Sequence, residues 1–299
     1  MKFYRRDRYS LVRRLVIAMP ELPLDTDEVI ARALREDLGA EGDVTSRASL
    51  PVGLATTARI EGRADGVLAG LAVAQRVVSA VDPSIAFDAN LQDGAGVGPD
   101  DVVASLEGSA RSIMAAERTA LNFLTHLSGV ATLTRSFVDA CEGTDSVILC
   151  TRKTLPGLRS LERYAVECGG GRLHRAGLHD GVLLKDNHVA LAGGVRQAVT
   201  AARRNAPHTL RVEVEVETLE QLSEALDAGA DAILLDNADV EAVRKAVDLV
   251  GERVPLEISG GMTVERVREI ARLGRLLISV GRITHSAPAL DLALEIDQP

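Results

Sequence analysis

TRKTLPGLR (Thr151–Arg159), GGGRLHR (Gly169–Arg175) and LLKDNH (Leu183–His188) place Arg152, Lys153, Arg159, Arg172, Arg175 and Lys185 among glycines and short apolar runs. Two of these stretches share one grammar. VILC (Val147–Cys150) runs into Thr151-Arg152-Lys153, and VLL (Val182–Leu184) runs into Lys185. A continuous apolar run of this kind reads as a buried parallel strand. The residue after it sits at the strand's carboxyl end, where parallel α/β folds bind their ligands. The chain therefore gathers cations on a rim.

Downstream the grammar repeats. Leu210–Val216, Ala232–Leu235, Pro255–Ile258 and Leu276–Val280 read as further strands. Helical stretches alternate with the whole series, at Leu158–Cys168, Val195–Asn205, Leu219–Ala228, Val240–Val250 and Val264–Leu273. Strand and helix in alternation predict a parallel sheet with right-handed crossovers. Six such units point to a barrel, complete or partial. Upstream, Val29, Ile30, Ala33, Leu34 and Leu38 share a helical face capped by Asp25 or Thr26 and ended by Gly39, and EDLGAEGDVTS reads as turn. Strands at Leu54–Ile60, Ile85–Ala89 and Val102–Leu106, with a helix at Leu71–Val81, suggest a small α+β unit ending near Gly108. A long helix follows over Ser112–Ala140, with a break expected near Ser128-Gly129; Arg118, Asn122 and Thr125 fall on one of its polar faces.

Composition narrows the function. Against 43 acidic residues stand 34 basic ones, a net charge of -9, which argues against nucleic acid or an anionic membrane as the main partner. The cationic cluster is local, and a small anionic ligand suits it. Aromatics at 2% remove the stacking platforms of a single-strand binder. No apolar stretch reaches transmembrane length, and Leu15–Met19 is too short for a signal-peptide core. Cys141, Cys150 and Cys168 lack metal spacing and read as reduced thiols of a cytoplasmic protein. The basic stretch over residues 1–20 reads as a loose extension, with a docking arm as the functional alternative; Met19 is a second candidate start.

The strand ends then read as one list: Thr151-Arg152-Lys153, Lys185-Asp186-Asn187, Glu213 and Glu215, Asp236-Asn237, Ser259-Gly260-Gly261 and Gly281-Arg282. One polar strand end means little; six in succession, cations first and acids after, make a site. Arg152 and Arg175 offer planar forks for carboxylate or phosphate, and Lys153 and Lys185 are point charges. Glu215 and Asp236 near an anion imply a cation between, and Mg²⁺ with phosphate oxygens fits. VEVEVE puts Glu213, Glu215 and Glu217 on one face, lumenal in a barrel. Ser259-Gly260-Gly261 and Val280-Gly281-Arg282 close the last two units, where barrels commonly hold phosphate.

In that order, TRKTLPGLR, GGGRLHR, KDNH, VEVE, LLDN, SGG and SVGRITHS, with AERTALNFLTHLSGVAT and REDLGAEGDVTS upstream, resemble quinolinate phosphoribosyltransferase, the carboxylating nicotinate-nucleotide pyrophosphorylase family. The resemblance covers residues 25–296. It implies the type II phosphoribosyltransferase architecture, an N-terminal open α/β sandwich followed by an incomplete parallel α/β barrel. The corresponding division is an extension over 1–24, a sandwich domain over 25–128 to which 286–299 can return, and a barrel over 129–285. It implies a homodimer or hexamer in which Arg118 reaches the neighbouring subunit's site. Thr151, Arg152, Lys153, His174, Arg175 and Lys185 would hold the substrates, quinolinate and phosphoribosyl diphosphate. Glu215 and Asp236 would face Mg²⁺, directly or through water, and count with Lys153 and Lys185 as the catalytic groups. Ser259, Gly260, Gly261, Val280, Gly281 and Arg282 would line the 5′-phosphate pocket, with His285 as structural support. Two departures stand out: ARLGRLLISVG lacks the family's usual Gly-Val-Asp before its strand, and Arg282 replaces a small residue. The rival readings are a relative acting on another aromatic acid, as in molybdenum-transport-associated proteins, a Schiff-base lyase using Lys185, and a non-catalytic binding protein.

Overall fold

The computed structural model describes residues 20–297, so most of the basic extension lies outside the described residues. The first layer comprises α1 (Thr26–Leu38), α2 (Val44–Ser49), β1 (Ala55–Gly62), β2 (Gly66–Val67), α3 (Leu71–Val81), β3 (Ala86–Ala89), β4 (Gly96–Val97) and β5 (Val102–Ser109). Helix α1 buries Val29 and Ile30 as its spacing predicts, and Gly39 ends it with φ 54°. Its start departs from expectation. Asp25 makes no capping bond; its carboxylate accepts the Ser160 hydroxyl instead, at 2.9 Å. Helix α2 is a second departure, because Val44-Thr45-Ser46 begins a helix rather than continuing the turn. Asp43 caps it by accepting the Thr45 and Ser46 N–H groups at 2.9 and 3.0 Å, and cap-forming residues in so short a helix look like turn residues.

The long helix α4 (Ala110–Ala140) runs unbroken through Ser128-Gly129. The expected break fails because Gly129 serves close packing. A Cβ there would stand 2.0 Å from the Pro288 carbonyl oxygen, so the missing side chain lets the chain cross the helix. Ile113, Leu124, Leu127 and Phe137 point from α4 into the core, each at most 1% exposed.

The second layer follows as β6 (Val147–Leu149), α5 (Arg159–Cys168), β7 (Val182–Leu184), α6 (Asp186–Ala192), α7 (Val195–Asn205), β8 (Val212–Val216), α8 (Leu219–Ala228), β9 (Ala232–Asp236), α9 (Val240–Val250), β10 (Leu256–Ser259), α10 (Val264–Ile270), β11 (Leu277–Ser279) and α11 (Arg282–His285), after which β12 (Leu292–Ile296) rejoins the first layer. Strands β6 to β11 form one parallel sheet in the order β6-β11-β10-β9-β8-β7. From β7 to β11 chain neighbours are spatial neighbours, and β11 returns to β6, so the sheet curls into a barrel with one gap, between β6 and β7. Arg172 enters that gap through a single parallel bridge to Leu149. The first sheet is antiparallel in the order β12-β1-β5-β3, with β2 and β4 as a separate ribbon. β12 comes back after the barrel to pair with β1, Leu292 opposite Gly62 and Ile296 opposite Ala58.

Candidate active site at the carboxyl ends of the barrel strands

Register alone decides which strand-end residues meet. Partners across a parallel ladder point to the same face, and alternate residues along a strand share it. Glu213 pairs with Leu183 and Ala232, and Glu215 with Leu234. Leu234 pairs with Glu257 and Asp236 with Ser259; Glu257 pairs with Leu277, and Ser279 with Leu149. One face of the sheet therefore carries Glu213, Glu215, Asp236, Glu257, Ser259 and Ser279. Lys185, two residues beyond Leu183, joins it and makes an ion pair with Glu215. Glu217 leaves this set: β8 ends at Val216, and the Glu217 N–H donates to the Gln221 side chain of α8 at 2.9 Å.

The face has two tiers. At the mouth stand Lys185, Glu215, Asp236 and Ser259. Beneath them His174 lies across the lumen, its Nε2 3.2 Å from Glu213 and 3.3 Å from Glu257. Glu257 is 2% exposed and also accepts the Ser279 hydroxyl. Burial pushes the Glu257 carboxyl up, against the hydrogen bond from His174 that pulls it down. Hydrogen bonds to Glu213 and Glu257 raise the His174 pKa to about 10. Nδ1 accepts the Arg175 N–H at 2.7 Å, which on its own favours the neutral ring with its proton on Nε2. Two half-buried or buried carboxylates outweigh that one backbone bond, so the imidazolium is favoured. In either form Nε2 keeps its proton. The three side chains bring ligand-type atoms within 4.8 Å of one another, and with the proton on Nε2 they form a hydrogen-bonded network.

The cationic loops converge on the mouth from β6 and from the segment filling the gap. Lys153 is fixed by its backbone: its N–H donates to Thr151 Oγ1 at 3.1 Å, and its carbonyl accepts the Thr284 hydroxyl at 2.6 Å. A Cβ on Gly281 would stand 2.9 Å from Lys153 Cδ, so that glycine leaves room for the lysine stem. Arg175 donates to the Gly181 carbonyl at 3.0 Å. Burial, and then the like charge of Arg152, hold its guanidinium below the usual pKa. Arg152 Nε is buried with no hydrogen-bond partner among the described residues. A buried orphan donor is costly, and a carboxylate oxygen would satisfy it.

Two acids at the mouth fit a hydrated Mg²⁺. Glu215 and Asp236 share the face, and such an ion takes a few carboxylates together with water and phosphate oxygens. Asn237 supports Asp236: its Nδ2 donates to Asp236 Oδ2 at 2.7 Å, its N–H donates to the Ser259 carbonyl at 3.1 Å, and its φ is 53°. A Cβ on Gly260 would stand 2.1 Å from Asn237 Oδ1. Gly260 is thus a glycine because Asn237 presses against it, a reason independent of phosphate.

Not everything predicted comes together within one chain. Arg118 projects from α4 with its side chain 65% exposed, and the acid beside it is its own neighbour Glu117, at 3.8 Å. Arg282 is exposed at the start of α11, and His285 Nδ1 lies 2.6 Å from the Ser286 hydroxyl. KDNH, read as a strand end, also begins a helix: Lys185 precedes α6, and its N–H donates to His188 Nδ1 at 3.0 Å. The sequence reading missed Glu257 and the buried Glu162, and took Asn237 only as part of a strand end. For Glu257 a signal existed, a lone acid in PLEIS with the parity of Ser259; for Glu162, inside an ordinary amphipathic helix, none did.

Comparison with known proteins agrees with this fold. The family model for the quinolinate phosphoribosyl transferase N-terminal domain matches residues 43–128, and that for its C-terminal domain matches 130–295. The chain is 39% identical over 307 residues to quinolinate phosphoribosyltransferase [decarboxylating] 1 of Nicotiana glauca, covering 96% of this chain and 87% of that protein. It is 40% identical over 261 residues to the probable nicotinate-nucleotide pyrophosphorylase [carboxylating] of Bacillus subtilis, covering 87% and 90%. The solved structure of the nicotinate-nucleotide pyrophosphorylase from Francisella tularensis superposes with a TM-score of 0.87 at 38% identity, covering 93% of this chain and 99% of that one. With the N-terminal domain model matched over the antiparallel layer and the C-terminal one over the barrel, in that order, the chain belongs to the quinolinate phosphoribosyltransferase family.

Proposed function

We propose that this chain transfers the phosphoribosyl group of phosphoribosyl diphosphate to quinolinate with loss of CO₂, giving nicotinate mononucleotide and diphosphate. The observation that carries the reading is the single lumenal face bearing Lys185, Glu215, Asp236 and Ser259, with the Arg152 donor buried and unpartnered at the end of β6. Arg152, Arg175 and Thr151 hold the two adjacent carboxylates of quinolinate, above the positive charge of His174. Lys153 and Lys185 balance charge on the phosphoribosyl side, and Ser259, Gly260, Gly261, Val280, Gly281 and Arg282 form the 5′-phosphate pocket. Mg²⁺, when bound through Glu215 and Asp236, would neutralise the departing diphosphate. As that bond breaks, positive charge grows at the anomeric carbon, and the two carboxylates stabilise it. The quinolinate ring nitrogen attacks with its own lone pair and needs no general base. The resulting pyridinium accepts the electrons left behind when the adjacent carboxylate departs as CO₂, and protonation of that carbon completes the product. Most of the acceleration comes from positioning and fixed charge.

The site is completed by a second subunit whose Arg118 reaches in. The three cysteines, all free and buried, support a reducing compartment such as the cytosol. Lys185 is engaged as a cation by Glu215, which favours a charge-stabilising role over a Schiff-base nucleophile. The assay is direct: quinolinate, phosphoribosyl diphosphate and Mg²⁺ should yield CO₂ and nicotinate mononucleotide, and nicotinate offered in place of quinolinate should yield none. Turnover of nicotinate, or silence with quinolinate, would reject the assignment.

A further inference from the structure

Arg152 and Arg175 lie on loops, their like charges repel, and loops alone hold distances poorly. Helix α5 supplies the missing constraint. Its residue Glu162 is 0% exposed. One Glu162 oxygen accepts the Leu155 N–H at 3.1 Å, and the other meets His126 Nε2 of α4 at 3.0 Å. Arg159 donates to Thr154 Oγ1 at 3.0 Å and to the Ala176 carbonyl at 3.2 Å. Arg163 donates to the His174 carbonyl at 2.7 Å. Positions 159, 162 and 163 share one helical face. That face grips the first loop just beyond Arg152, at Thr154 and Leu155, and the second loop on both sides of Arg175, at His174 and Ala176.

We propose that this face of α5 sets the separation of the Arg152 and Arg175 guanidinium groups, and so makes the site selective for a pyridine bearing two adjacent carboxylates over one bearing a single carboxylate. Arg159, Glu162 and Arg163 are positioning residues: they hold loop backbone and side-chain oxygens and leave the substrate to the two arginines. The inference rests on the reading that those arginines bind quinolinate.

The full-length chain carrying Arg163→Met, Arg163→Lys or Thr154→Val provides the test, with Arg152→Ala as control. Thr154→Val removes one hydroxyl, which accepts from Arg159 and donates to the Arg152 carbonyl at 3.4 Å, and spares the fold if Arg163→Met does not. Readouts are KM for each substrate and equilibrium dissociation constants for quinolinate and nicotinate. Arg163→Met should raise KM and Kd for quinolinate about tenfold, as loss of a charged hydrogen bond does. Phosphoribosyl diphosphate KM and nicotinate Kd should stay within about twofold. Lysine at 163, able to reach one carbonyl, should recover most of the loss, and Thr154→Val should give a smaller change of the same pattern. Unchanged quinolinate affinity in both Arg163→Met and Thr154→Val, or equal losses for quinolinate and nicotinate, would overturn the proposal. Intact quinolinate affinity in Arg152→Ala would instead remove the site reading beneath it.

Discussion

Asn237 joins two parts of the mouth at a single residue. Its amide holds Asp236 at 2.7 Å, its backbone holds Ser259, and its left-handed φ of 53° puts its side chain against Gly260. Two substitutions separate these jobs. Asn237→Gly keeps the conformation and loses the amide, whereas Asn237→Ala loses the amide and adds a left-handed cost of about 1–2 kcal/mol. If the amide orients Asp236, both variants raise the KM for phosphoribosyl diphosphate, with quinolinate KM steady, and the alanine variant alone unfolds earlier in urea. A glycine variant with native kinetics would limit Asn237 to a backbone role. The cations at the rim were legible in the sequence because polar and charged ends follow one apolar run after another, cations first. Asn237 was visible only as part of a strand end, since its work depends on Gly260, far along the chain. Glu257 hid for a similar reason: one acid among Pro255, Leu256 and Ile258 does not reveal that His174 stands opposite.

At the scale of elements, strands and long helices were readable because their periodicity is dictated by which face is buried. Short helices were not. α2 and α6 start among Asp, Asn, Thr and Ser, which cap and turn equally well. Glycine misled in the other direction. Gly129 suggests a break, yet α4 passes straight through it, with the Pro288 carbonyl seated on its bare Cα. Gly129→Ala, favourable by helix propensity, should here destabilise by about 1–3 kcal/mol through overpacking. Thermal unfolding checks this: a lowered midpoint is expected, and an unchanged or raised one would mean the crossing chain yields freely.

For the whole molecule, the question is how one chain completes its site. Arg118 stands exposed on α4, with Glu117 the acid beside it, and the family expectation sends it to a neighbouring subunit. Arg118→Ala and Lys185→Ala subunits, each inactive alone, should recover roughly a quarter of native activity when mixed, if two-fold pairing is random and each site needs one residue from each chain. No recovery, with mixed oligomers verified by mass spectrometry, would assign Arg118 to its own subunit. The barrel and its charged mouth could be anticipated from strand ends alone; a division of labour between subunits could not, because nothing in a linear pattern marks a residue as working across a boundary.

The return of β12 to β1 has a temporal side. A ribosome releases the first sheet long before it has made Leu292, so the outer edge of β1 waits without its cover while six barrel strands emerge. Pairing so distant in sequence is slow to form, and an open edge in the interim is sticky. Nascent chains should therefore need protection until synthesis has passed Ile296, and any truncation between the barrel and that point should release a polypeptide prone to clump by its unfinished margin.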